Sequence, residues 1–246
     1  VSKGKGAGKF RRGLFSRGDS RTGNVLPLAT GSVAKEKRRV VILLPTGDTV
    51  HRDFAISLAH LMKHTLLAMP TNLVDLKIQG VSMSILPAAR HVLAQYALDN
   101  NFTHALFIDS DMEFPCDAIL HFLTKSDPIL GVNAVARREP WPTTARYADG
   151  GYVQTTIDSS GTESVSRIGF GLVWVATEVF RKIEPPWFNF TWQEDYKRYE
   201  GEDHYFCRKA IDAGFDVKVD HDISKYVRHM GSFAFSPLVK AMLSED

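Results

Sequence analysis

The triplet Asp109-Ser110-Asp111 stands where an apolar run, His104 to Ile108, gives way to Met112-Glu113-Phe114-Pro115. Two carboxylates one residue apart can reach a single divalent cation and the groups around it. Their oxygen atoms suit Mg²⁺ or Mn²⁺, ions that bridge the oxygens of a diphosphate. The plainer alternative is an acidic turn that caps the following helix. Ligands of open α/β sheets bind beyond the carboxyl ends of the strands, and that position favours the functional reading. A second group, Gly201-Glu202-Asp203-His204, lies just ahead of a predicted helix. Acids there ordinarily cap the helix N-terminus, but a carboxylate within reach of a hydroxyl can also act as its general base. The third is His229, within Val227-Arg228-His229-Met230-Gly231. A lone histidine is more often a hydrogen-bonded structural residue, yet imidazole binds Mn²⁺ and could complete a mixed nitrogen and oxygen shell.

These residues need a scaffold, and the hydrophobic pattern supplies one. Arg39 to Pro45 is a nearly continuous apolar run with β-branched residues, as expected of a strand buried on both faces. Phe54, Leu58, Leu61, Met62 and Leu66 share one helical face. Leu73 to Ile78 alternates as a strand. Ser82 or Ser84 is positioned to cap a helix on which Ile85, Ala89, Val92 and Tyr96 form the inner stripe. Then come a strand at His104 to Asp109, a short helix at Asp117 to Thr124 and a strand at Ile129 to Ala136. The alternation predicts an open α/β sheet with helices on its faces. Arg137 to Arg167 breaks the pattern and reads as a hairpin or flap, with short strands around Tyr152 to Ile157; Arg137, Arg138 and Trp141 open it. Phe170 to Ala176 is another core strand, followed by a short helix capped by Thr177. A helix from Asp203 to Ala213 stops at Gly214, before a strand at Asp216 to Val219.

Composition narrows the class. The 246 residues are 44% hydrophobic, enough for a sizeable core. No window offers the roughly 18 to 20 consecutive apolar residues that would cross a bilayer. Cys116 and Cys207 lack the C-x-x-C spacing of a zinc or redox site, which points to a reducing, cytoplasmic setting. Residues 1 to 39 hold five Lys and six Arg against Asp19 and Glu36, a balance of +9, so the whole-chain +2 leaves −7 for the rest. Residues 1–38, basic and rich in Gly and Ser, read as a loosely ordered tail, with one folded domain over 39–246. Nucleic acid is a poor partner for the domain, because phosphate contacts need basic residues where the acids cluster here.

Taken in order, the blocks ALFIDSDMEFP, GFGLVWVATEVFRKIEPPWF and GEDHYFCRKAIDAGFDVKVDHDISKYVRHMG resemble the GT-A glycosyltransferases, especially compact family-2-type enzymes of phages and large DNA viruses. The resemblance runs from Arg39 to about Phe235. It implies the GT-A fold, a Rossmann-like open mixed sheet in a single domain. It also implies transfer of a sugar, with inversion, from a nucleotide-diphosphate sugar to a glycan or other hydroxyl acceptor, with Mn²⁺ or Mg²⁺ as cofactor. Under it, Asp111 is the principal metal carboxylate, Asp109 contacts the ion or the donor ribose with Ser110 beside it, and His229 is a third metal contact. Asp203 is the catalytic base, and Glu202 orients substrate or Asp203. Pro45, Thr46 and Gly47 meet the nucleotide. Arg90 is a partner for the diphosphate, for an acid near the metal, or simply for a neighbour on its helix. Trp192, flanked by Thr191 and Gln193, is a candidate acceptor platform.

A haloacid-dehalogenase-like phosphotransferase also carries D-x-D after a buried strand, but Glu113 stands where that class has Thr or Val. A non-catalytic carbohydrate- or nucleic-acid-binding protein is the other alternative, separated from an enzyme by whether nucleotide sugars are hydrolysed.

Overall fold

The computed structural model describes residues 37–69, 74–137 and 141–231. Most of the basic tail, together with Leu73 and Arg138, lies outside them. The elements in chain order are β1 (Arg38–Thr46), α1 (Arg52–Ala68), β2 (Val74–Ser82), α2 (Leu86–Asp99), β3 (His104–Ile108), β4 (Met112–Glu113), α3 (Ala118–Leu123), β5 (Ile129–Gly131) and β6 (Thr162–Ser164). They continue with β7 (Leu172–Ala176), α4 (Glu178–Lys182), β8 (Thr191–Gln193), β9 (Arg198–Glu200), α5 (Glu202–Asp212), β10 (Val217–Asp220), α6 (His221–Ser224) and β11 (Arg228–His229). The α/β class read from the sequence is the one observed.

A seven-stranded mixed sheet runs in the order β2-β1-β3-β7-β5-β10-β6. β1 is parallel to both β2 and β3, while β7 enters antiparallel between β3 and β5. The chain leaves β1 for β2 on one side and returns to β3 on the other, so the order reverses beside β1. That is where α/β sheets open a crevice for ligands. The strand alternation explains the two-layer core. Val40, Ile42 and Leu44 face one layer with Phe54, Leu61, Phe122 and Trp174, and Val41 and Leu43 face the other with Leu93, Ala97, Phe107 and Phe180. Both faces are covered, which is why the strands read as continuous apolar runs.

Several local expectations change in the folded chain. Helix α2 turns a different face inward: Ala89, Arg90, Leu93, Ala94 and Ala97 are buried, while Ile85 and Val92 are exposed. Alanines at three of those positions let the helix lie close to the sheet, and the same rotation carries Arg90 inside. Its N-cap is Ile85 with no side-chain capping bond; Ser82 is spent on β2, and a proline in the first turn starts the helix instead. Thr177 likewise makes no capping bond, because its hydroxyl donates to the Phe102 carbonyl. The strand expected at Ile129 to Ala136 stops at Gly131. The strands expected at Tyr152 to Ile157 reduce to a single bridge, Arg146 to Tyr152, and the segment's real contribution to the sheet is β6 against β10. The expected stop of α5 is observed, with Gly214 at φ +86°, a conformation that costs glycine no steric clash.

Helix α5 is fastened by aromatic packing. Phe206 is fully buried, edge-on to Phe170 at 5.1 Å and stacked on Phe188 at 5.1 Å. Phe206→Ala should therefore lower stability by about 3–5 kcal/mol, read as a lower urea midpoint. The exposed control Val92→Ala should stay within about 0.5 kcal/mol of the parent.

Candidate active site

Arg90 is a charged residue held inside the fold, 2% exposed. Its Nη1 donates to Glu202 Oε1 at 2.7 Å, and its Nη2 donates to both oxygens of Asp109 at 2.9 and 3.1 Å. The guanidinium also lies 5.1 Å from the centre of the Phe170 ring, which gives it a cation–π floor. One side chain on α2 thus ties the end of β3 to the start of α5. Burial pushes the Asp109 and Glu202 carboxyl groups above their ordinary values in spite of the guanidinium between them. Burial opposes the charge on Arg90 as well, but Asp109 and Glu202 outweigh it and hold its pKa up.

Asp111, two residues on, escapes this clamp. Its Oδ2 lies 2.8 Å from Arg137 Nη2 and 3.4 Å from His229 Nε2, and its Oδ1 is buried with no hydrogen-bond partner. Against the cost of burial, the His229 contact and the Arg137 charge keep the Asp111 carboxyl below its ordinary pKa; the same contact raises His229. His229 reaches this place through a pairing of two-residue strands, β11 against β4, in which His229 stands opposite Met112. The Met230 N–H donates to the Asp111 carbonyl, and Arg137 donates to the Met230 carbonyl. His229 Nδ1 is 3.0 Å from the Val135 carbonyl oxygen, an arrangement that puts the proton on Nδ1 and leaves Nε2 facing Asp111.

Asp109, Asp111 and His229 therefore surround one loop, but Asp109 is turned to Arg90. Among the described residues no three side chains of the His, Cys, Asp and Glu types form a ready metal cluster. A divalent ion nonetheless suits Asp111 and His229: one carboxylate oxygen is buried without a partner and the other lies 3.4 Å from an imidazole oriented by a backbone carbonyl, the donor set of a mixed nitrogen and oxygen site.

Asp203 opens α5 as its second residue, and Gly201 is the N-cap. A Cβ at position 201 would sit 2.7 Å from Asp203 Oδ1, so the glycine makes room for that carboxylate. Asp203 Oδ1 accepts from the His204 N–H at 2.7 Å, and its negative charge acts on both Arg90 and Asp109. Pro45 and Thr46 close β1 and Gly47 follows, at the same carboxyl end of the parallel strands as Asp109, with Thr46 opposite Ser82; Gly47 is exposed and Ser110 half-buried. The Ser110 carbonyl accepts from the N–H of His51, which joins the start of α1 to this loop.

Beside Asp203 stands a hairpin that the sequence does not announce. In β8–β9, Trp192 pairs with Tyr199, their rings edge-on at 5.1 Å, and both are exposed. The alternate residues turn inward: Glu200 accepts from Thr191 Oγ1 and Arg208 Nη2, each at 2.9 Å, which binds the hairpin to α5. Trp187 and Phe188 belong to the core. The two cysteines are free thiols, and burial pushes Cys207 up to about 12, far from a reactive thiolate. No helix among the described residues is long and apolar enough to cross a membrane.

No protein-family model matches the chain, and no curated protein matches it in sequence. Among solved structures it is similar to the protein A197 from STIV, with a TM-score of 0.51 and 12% identity over 81% of this chain and 97% of that one. It is also similar to the catalytic domain of Drosophila beta1,4-galactosyltransferase 7 in complex with xylobiose, with a TM-score of 0.49 and 15% identity over 85% and 81% of the two chains. A mutant of that enzyme in complex with manganese, UDP-Gal and xylobiose gives 0.48 and 14% over 85% and 80%. At such identities the likeness is one of fold, and with A197 that fold extends across most of both chains.

Proposed function

We propose that the chain is a GT-A-type glycosyltransferase that moves a sugar, with inversion, from a nucleotide-diphosphate sugar to a hydroxyl acceptor. The observation that carries this reading is the Arg90 clamp, which brings the D-x-D loop and Asp203 to one end of the sheet, at its switch point. In that arrangement Asp111 and His229 would hold a divalent ion, which supplies positive charge to the departing nucleoside diphosphate. The other tasks fall to the chain. Pro45, Thr46 and Gly47 lie where the nucleoside would rest, with Ser110 beside Asp111. Arg90 keeps Asp109 and Glu202 in place, so that the acids flanking the site do not drift toward its cation. Asp203 takes the proton of the acceptor hydroxyl. The acceptor oxygen then bonds to the anomeric carbon as the bond from that carbon to the diphosphate oxygen breaks, its electron pair leaving with the diphosphate. Attack from the face opposite the leaving group inverts the anomeric centre. Trp192 offers an aromatic face for the acceptor.

A panel of UDP-, GDP- and dTDP-sugars incubated with Mn²⁺ tests the class: slow release of sugar to water from at least one of them is expected, and no release from any would remove the reading. Two substitutions separate the roles. Asp203→Asn should lower turnover by about 10²–10⁴-fold while calorimetric affinity for the donor stays within about twofold of the parent; near-parental turnover would exclude Asp203 as the base. Asp111→Ala should weaken Mn²⁺-dependent donor binding by at least about tenfold, and unchanged affinity in the presence of Mn²⁺ would take Asp111 out of the ion site.

A further inference from the structure

The segment before β7 holds a pairing that packing alone does not explain. Arg146 and Arg167 are directly opposed in an antiparallel bridge, with the Arg146 N–H donating to the Arg167 carbonyl at 2.9 Å and the Arg167 N–H returning the bond at 3.2 Å. Directly opposed residues project their side chains to the same face, and like charges so placed repel. Neither guanidinium has a carboxylate within ion-pair distance among the described residues. Arg146 instead packs 3.9 Å from the centre of the Tyr152 ring and donates to the Tyr152 hydroxyl and the Gly150 carbonyl, neutral partners all. Arg167 has no side-chain hydrogen bond among them. Glu200, the hairpin acid on which the Arg167 charge acts, is already engaged by Arg208 and Thr191.

The location of the pair bears on the acceptor. The residue after Arg167 is fastened to α5, with Cys207 Sγ 3.9 Å from the Ile168 carbonyl, and in keeping with that, burial first and then the charges of Arg167 and Arg146, against the pull of Asp203, hold the His204 imidazole in the first turn of α5 below its ordinary pKa. Arg167 also acts on Glu200, beside the exposed Tyr199. Asp203 thus lies close to two charged groups: the Arg90 clamp with Asp109, on which its charge acts, and the arginine pair, which shares its influence on His204. The first is where a diphosphate would be held. The second has unspent N–H donors in the fork geometry that matches a planar or tetrahedral oxyanion.

We propose that Arg146 and Arg167 form an anion subsite on the acceptor side of Asp203, and that the acceptor is a saccharide bearing a phosphate, sulfate or carboxylate group. The acceptor role rests on the transferase reading; the anion site does not. Tyr152 holds Arg146 in place, and Arg167 supplies the freer charge.

Inorganic sulfate is the probe, titrated by calorimetry at ionic strength held constant with chloride. Arg167→Gln should weaken sulfate binding by about tenfold, Arg167→Lys should retain part of it, and thermal melts should show both variants folded. In the parent protein with Mn²⁺, sulfate should leave nucleotide-sugar hydrolysis uninhibited, whereas glucuronate and glucose 6-phosphate should bind more tightly than glucose, a preference lost in Arg167→Gln. Sulfate affinity unaltered in Arg167→Gln overturns the subsite, and sulfate that competes with the donor overturns its place on the acceptor side. Sulfate binding through Arg167 in a chain that hydrolyses no nucleotide sugar would sink the transferase reading and the acceptor role with it, while the anion site stands.

Discussion

A guanidinium withdrawn from water must be surrounded by acceptors, and Arg90 meets that demand with carboxylates from two distant parts of the chain. Asp109 ends a central strand, and Glu202 begins a helix that packs on the same layer. Joining them through one side chain fixes the distance and angle between β3 and α5 more tightly than apolar packing would, because a bidentate fork tolerates little displacement. Two acids shared by one guanidinium also partition the acidic residues of the site. Asp109 and Glu202 are engaged by the clamp, whereas Asp111 meets Arg137 and His229 and Asp203 accepts from the His204 N–H.

The hydrophobic layers exist to hold that clamp in register. The aromatic group around Phe107, Phe170, Phe188 and Phe206 lies directly under α5 and carries the ring on which Arg90 rests. Rings that interlock edge to face resist sliding, so the first turn of the helix, with Gly201 giving way to the Asp203 carboxylate, is presented from a rigid floor. The opposite layer, built on Trp174 between His104 and Phe122, secures the strands whose ends form the crevice.

The far side of the site is held by lighter ties. Two-residue strands, one from the loop after β3 and one near the end of the described chain, bring His229 to Asp111. Arg137 meanwhile reaches from the loop after β5 to touch both Asp111 and the Met230 carbonyl. The segment that carries Arg146 and Tyr152 sits similarly on short pairings, supplemented by side-chain ties: Asn133, just past β5, binds the Val153 carbonyl and the Thr155 hydroxyl, and Thr155 also meets His221.

Much of the framework was legible before folding was considered. Continuous β-branched runs announced the strands covered on both faces, Gly214 announced the end of α5, and the acids of D-x-D and G-E-D were recognisable because each falls where an element begins or ends. Those features depend on neighbours a few residues away, and periodicity records such neighbours faithfully. Which acid would meet which cation was not recorded there. The inward face of α2 departs from its apolar stripe because that face carries Arg90, whose two carboxylate partners, one 112 positions away, meet it only in the folded chain. The pairing of β11 with β4 and the opposition of Arg146 to Arg167 likewise arise from contacts between segments whose separation along the chain carries no local signal. Backbone pattern set the elements; burial of charge, which only the assembled interior can impose, decided how they were joined.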